Sequence, residues 1–229
     1  MEIIVLSSAD AVAAEAAALI AQDARDVVRA RGRFVLAVSG GRTPWQMLRA
    51  LAREDVPWSG VHIVQVDERI APAGDADRNL MHLHASLLEN SPIPIEQIHA
   101  MPVEANDLDA AAAQYDRMLA QLCGEPPEID LVHLGMGPDG HTASLIPGDP
   151  VLDVANRDVA LTGLYQGRRR MTLTYPIINR ARKILWLITG ADKADRLPQL
   201  RAGDATIPAG RVNQSRATVI ADHSAAAKI

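Results

Sequence analysis

Aromatic residues are scarce, 3% of a 229-residue chain, so the core must be built mainly from Ala, Val, Ile and Leu. That economy suits helices packed on a parallel sheet better than an aromatic-rich sandwich. A single cysteine, Cys123, excludes an intramolecular disulfide and a thiolate metal centre. Apolar runs such as Ile184 to Ile188 are far too short to span a bilayer, so no membrane partner is expected. The opening MEIIVLSSAD has neither a basic region nor a long apolar segment, which argues against a signal peptide and for the cytoplasm. There is no basic excess either. A formal net charge of -5 argues against a non-specific nucleic-acid binder, although a local Arg/Lys cluster can still hold a small anion. Ser39 to Thr43 is neither a GxxxxGK Walker A loop nor a GxGxxG dinucleotide fingerprint, and no Ser sits in a GxSxG elbow.

What is present is a regular alternation of apolar strands and amphipathic helices. The expected fold is α/β, a single doubly wound, mainly parallel, Rossmann-like sheet flanked by helices, with residues 1–229 as one domain. Ile3 to Leu6 reads as a strand, and Ser8 or Asp10 caps an Ala-rich helix to about Arg31. Further strands are expected at Phe34 to Ser39, Val61 to Val66, Ile98 to Met101, Asp130 to Leu134, Lys183 to Thr189 and Ala217 to Ile220. Helices are expected from Pro44 onward, from Asn79 to Leu88, from Leu108 to Leu122 under an Asp107 cap, and from Lys193 to Leu200. Val151 to Gly167 reads as irregular.

The chemistry gathers where strands end. Asp130 to Leu134 runs into Gly135, Gly137, Pro138 and Gly140, with a helix-compatible segment beyond, which places Asp139 and His141 at the carboxyl edge of the sheet. A carboxylate orienting an imidazole is a base-catalysis pattern. A metal shared by the two would lack a third ligand. Ser39-Gly40-Gly41-Arg42-Thr43 follows a strand and opens a helix, and its backbone N–H groups and hydroxyls form either a phosphate cradle or a plain tight turn. Asp67-Glu68-Arg69 ends another strand on the same edge; Asp75 and Asp77 read as solvated. Among the other histidines, His133 reads as a core residue, His82 and His84 as a poor metal pair, and His62 and His99 as lacking acidic or cysteine company. One of Arg168, Arg169 and Arg170, with Lys193, would add positive charge to a phosphate.

SGGRTP, VDER, GMGPDGHTAS, RMTLT and GADKA, in this order, closely resemble the 6-phosphogluconolactonase family, within the superfamily it shares with glucosamine-6-phosphate isomerase/deaminase. The resemblance covers Ser7 to Ile220. It implies hydrolysis of 6-phospho-D-glucono-1,5-lactone in the oxidative pentose phosphate pathway, with no metal and no organic cofactor. By that resemblance Ser39, Gly40, Gly41 and Thr43 hold the phosphate, and Arg170 and Lys193 neutralise it. Arg42 departs from the small hydroxyl residue often found at its position; its N–H still serves. Asp67 and Arg69 line the sugar site, and His141 is the general base. Asp139 either holds the imidazole or contacts sugar hydroxyls, while Arg69 or N–H groups around Gly137 stabilise the tetrahedral intermediate. The isomerase/deaminase carries a carboxylate five residues after its His; Ile146 stands there in this chain. The expected partner is therefore a small phosphosugar lactone, acted on by a monomer or small homo-oligomer.

Overall fold

The computed structural model describes residues 1–229. The chain opens with β1 (Glu2–Leu6), α1 (Ala9–Arg31), β2 (Phe34–Val38), α2 (Arg42–Leu51) and β3 (Val61–Gln65). A short β4 (Asp67–Arg69) precedes α3 (Asn79–Ser86), β5 (Ile98–His99), α4 (Leu108–Cys123) and β6 (Leu131–Leu134). The remainder carries β7 (Val159–Leu161), β8 (Arg170–Leu173), α5 (Tyr175–Arg180), β9 (Lys183–Ile188), α6 (Leu197–Ala202) and β10 (Ala217–Asp222).

Seven strands pair in parallel in the order β1-β10-β9-β6-β2-β3-β5. The side-chain period of two splits each strand between two cores. In β2, Phe34, Leu36 and Val38 face the core that contains α1, α2 and Leu83 of α3. Val35 and Ala37 face the other, built with α4, α5 and α6. All five β2 residues are buried, which is why the strand reads as a continuous apolar run. This is the doubly wound sheet expected from the sequence. Its first helix starts where the Ser8 hydroxyl accepts the Ala11 N–H at 3.2 Å and stops at Gly32 in the left-handed conformation.

From β2 the chain moves outward through β3 to β5, then returns to lay β6 on the other side of β2. The loops after β2 and β6 therefore diverge at a topological switch point, where a crevice opens at the carboxyl edge. Ser39–Thr43 and Gly135–His141 are those two loops.

Three details depart from the expected pattern. Asp67–Arg69 does not end β3; it forms β4 in a second, antiparallel sheet of order β4-β8-β7. The middle of the segment expected to be irregular, Val151 to Gly167, supplies β7 (Val159–Leu161) of that sheet. Second, the residues beyond Gly140 form turns rather than a helix. Ala143 has a φ of 52°, and the Ser144 N–H goes to the Thr172 hydroxyl instead of a carbonyl one turn back. Third, the stretch from Lys193 to Leu200 is split. Ala191–Lys193 is a single 3-10 turn, and α6 starts only at Leu197, with Pro198 in its first turn.

Candidate active site

The crevice is a cavity of about 690 Å³ whose walls are polar apart from Ala9, Pro44, Met136, Ala143 and Leu187. Every site residue named from the sequence except Asp139 lines it directly: Ser39, Gly40, Gly41, Arg42, Thr43, Asp67, Arg69, His141, Arg170 and Lys193. Asp139 stands directly behind His141.

On the β2 side, α2 begins at Gly41 with no side-chain cap, so the first N–H groups of the helix face the cavity without a protein acceptor. Pro44, in the first turn, has no N–H to offer. The Thr43 hydroxyl lies 2.6 Å from that of Thr189, at the end of β9. Ser39 is fixed from behind by His133, whose carbonyl accepts the Ser39 hydroxyl at 2.8 Å while its Nδ1 accepts the Ser39 N–H at 3.3 Å. Burial drives the His133 imidazole down to about 3, so it is a neutral acceptor, as a core histidine should be. A side chain on Gly40 would run into Asn79 at 2.0 Å, so only glycine lets the loop lie against α3.

On the β6 side, His141 Nδ1 sits 2.6 Å from Asp139 Oδ1, which also accepts the His141 N–H at 3.1 Å. Burial raises the Asp139 carboxyl, but the His141 backbone bond and the nearby imidazole outweigh it, and the net shift is downward. Gly137 makes room for this pair, since a Cβ there would lie 2.2 Å from the imidazole. Several of the loop's own donors are taken. Gly137 N–H is bonded to the His141 carbonyl, Gly140 N–H to the Gly137 carbonyl, and Pro138 has none. That takes the Gly137 N–H itself out of the loop N–H groups suggested by the sequence as oxyanion donors.

The small sheet supplies side chains. Because β4 alternates, Asp67 and Arg69 reach the cavity while Glu68 points away and is fully buried. Glu68 accepts the N–H groups of Asn79 at 2.8 Å and Leu80 at 2.9 Å, capping α3, and pairs with Arg78 at 3.3 Å. Asp67 takes the Ser144 hydroxyl at 2.6 Å, which ties the Gly-rich loop to β4. Arg69 stands directly opposite Arg170 in the β4–β8 register. Two like charges in that arrangement repel, and both have a buried Nε with no protein partner. Burial, with Arg69 adding to it, lowers the Arg170 pKa, while Asp67 opposes the shift. Three of the lining cations rest on a nearby acceptor: Lys193 on Asp192 at 2.7 Å, Arg69 on the Asp77 carbonyl at 2.6 Å, and Arg170 on Gln166 at 3.3 Å.

Of the three consecutive arginines only Arg170 lines the cavity. Arg168 instead pairs with Asp75 at 2.9 Å and Asp77 at 3.0 Å, so those two aspartates are not simply solvated. His62 and His99, 37 residues apart, meet across β3 and β5 at 3.1 Å, a contact no local pattern announces. Thr189, Asn79 and Asp222 also line the cavity without having been singled out. Thr189 and Asp222 end buried strands on the same edge as Ser39, which is the signal that would have found them.

Comparison with known proteins agrees with the motifs. The family model described as glucosamine-6-phosphate isomerases/6-phosphogluconolactonase matches residues 7–221. A 6-phosphogluconolactonase of Synechocystis sp. is 39% identical over 179 residues, 76% of this chain and 74% of the relative. One of Mycobacterium tuberculosis is 37% identical over 216 residues, 88% of this chain and 87% of the relative. The crystal structure of 6-phosphogluconolactonase from Thermotoga maritima has a TM-score of 0.86 at 26% identity, covering 96% of this chain and 98% of that one. Motifs, fold and relatives converge: the chain belongs to the family of glucosamine-6-phosphate isomerases and 6-phosphogluconolactonases.

Proposed function

We propose that the protein hydrolyses 6-phospho-D-glucono-1,5-lactone to 6-phosphogluconate, as a cytoplasmic step of the oxidative pentose phosphate pathway. The observation that carries this is the Asp139–His141 pair at the wall of a cavity rich in cations. With Nδ1 on Asp139, Nε2 is the nitrogen left to take a proton from water. The water oxygen then bonds to C1 as the lactone carbonyl becomes an oxyanion. Arg69, which lines the cavity with His141, is the donor assigned to that oxyanion, and the Gly137 N–H itself is already bonded. Collapse breaks the bond from C1 to the ring oxygen, which takes the proton back from Nε2. No step is routed through a metal.

Phosphate, remote from C1, is assigned to the Ser39–Thr43 loop with Arg42, Arg170, Lys193 and the added Thr189 hydroxyl. Holding it there positions the reacting carbon. Asp67 is assigned to the sugar hydroxyls. Ile146, where the isomerase branch carries a carboxylate, is buried and apolar, which favours hydrolysis over isomerisation.

The test is to add fresh lactone and follow acid release with spontaneous hydrolysis subtracted. Release above that background is expected. No release, together with ammonia liberated from glucosamine 6-phosphate, would overturn the assignment in favour of the deaminase.

A further inference from the structure

Tyr165 belongs to none of the motifs, yet it touches both halves of the site. It opens a four-residue turn in which the Tyr165 N–H reaches the Arg168 carbonyl at 2.9 Å and the Arg168 N–H returns to the Tyr165 carbonyl at 3.2 Å. Gln166 and Gly167 both have positive φ, 51° and 79°, the tight hairpin form that fits twisted strands. Leu164 beside it is 77% exposed, so this tip stands away from the body of the protein. Tyr165 itself folds back. Its hydroxyl donates to Asp139 Oδ2 at 3.3 Å, the carboxylate oxygen that His141 leaves free. Its ring meets the His141 ring edge-on at 5.6 Å, and the Arg170 guanidinium lies over its face, 5.0 Å from the centroid.

We infer that Tyr165 is a positioning residue: its hydroxyl steadies the Asp139–His141 pair, and its ring steadies Arg170. This rests on the lactonase reading of the same site. The hydroxyl acts on the pair that moves protons; the ring acts on a cation that binds the anion. The two contacts can be removed separately, which a role in folding alone would not allow. Burial, then Asp139, raises the Tyr165 pKa, so near neutral pH the phenol keeps the proton it donates.

The experiment compares Tyr165→Phe with Tyr165→Leu in the intact protein. Phe keeps the ring over Arg170 and loses only the hydroxyl, so kcat is expected to fall roughly 3- to 10-fold with KM unchanged. Leu loses both contacts, so KM is expected to rise by a further factor of roughly 3 to 10. A kcat unaltered in Phe overturns the hydroxyl role, and a KM shared by Phe and Leu overturns the ring role. Two readouts do not depend on turnover. The low-field imidazole proton resonance of His141, assigned by its loss in His141→Ala, should move in Tyr165→Phe. The dissociation constant of 6-phosphogluconate should be kept in Phe and raised in Leu. If wild type failed to hydrolyse the lactone while both readouts shifted, the lactonase reading would fall and the positioning role would stand. If wild type were active and neither readout moved, the positioning role would fall alone.

Discussion

The two sheets serve the site in opposite ways. The seven-stranded sheet is buried on both faces, and it contributes what emerges at its strand ends: uncapped N–H groups of α2, hydroxyls, and a loop that carries His141. The three-stranded sheet contributes side chains from the strands themselves, with Asp67 and Arg69 on β4 and Arg170 on β8. A parallel sheet between two helical layers has no open face on which to set charges. A small antiparallel sheet at its edge does. The division of labour is geometric: one sheet offers mostly backbone groups and the loop with the proposed base, the other fixed charge.

The strongest test falls on the large sheet. His141→Ala is expected to lower kcat about 10²-fold or more, measured as lactone hydrolysis above background. Near-wild-type turnover would remove the base from that loop. Next come the cations, one from each side. Arg170 is buried on a strand with an unpaired Nε, whereas Lys193 sits in a 3-10 turn already neutralised by Asp192. Arg170→Ala should therefore raise KM roughly 10- to 100-fold and Lys193→Ala roughly 3- to 10-fold, because a desolvated charge acts more strongly. Equal effects would erase the contrast between strand-borne and loop-borne charge.

The smallest effect is on stability. His133 is neutral when folded, its pKa pushed down by burial to about 3 from an ordinary 6.5. Between those values the unfolded chain binds a proton that the folded one refuses. Stability from this residue is therefore full above pH 6.5 and is lost as pH falls toward 3, at up to about 1.4 kcal/mol per pH unit. Urea unfolding of His133→Gln at pH 7 and pH 5 should show a shallower loss than wild type. An unchanged pH dependence would mean that His133 does not carry it.

How far the sequence reaches follows the same division. The large sheet was legible because continuous apolar runs such as FVLAV have few alternatives, and because Gly-rich loops mark where they end. The doubly wound order then placed both loops at one edge. The small sheet was not legible. Three adjacent charges, Asp67-Glu68-Arg69, carry no apolar alternation, and the strand exists only because β8 pairs with it from roughly a hundred positions along, Asp67 lying against Thr172 and Arg69 against Arg170. Glu68 shows the cost: its burial depends on the α3 N-terminus and Arg78, partners that local spacing does not reveal. Tyr165 is invisible for a similar reason, since its three contacts come from two separate stretches of chain, Asp139–His141 and Arg170. Among the arginines, the strand register chose Arg170, while Arg168 was drawn away by Asp75 and Asp77.

Glu68 has one more effect, on direction. Two helices start beside the cavity, and each N-terminus attracts anions. Glu68 occupies the start of α3 permanently, while the start of α2 has no side-chain cap. In the proposed binding mode the phosphate is therefore expected at the start of α2 and not at that of α3. A crystal of the complex with 6-phosphogluconate would display that placement directly, with the phosphate at α2; a phosphate found at α3 would reverse it. In that binding mode, a carboxylate outside the cavity lining helps to orient the sugar.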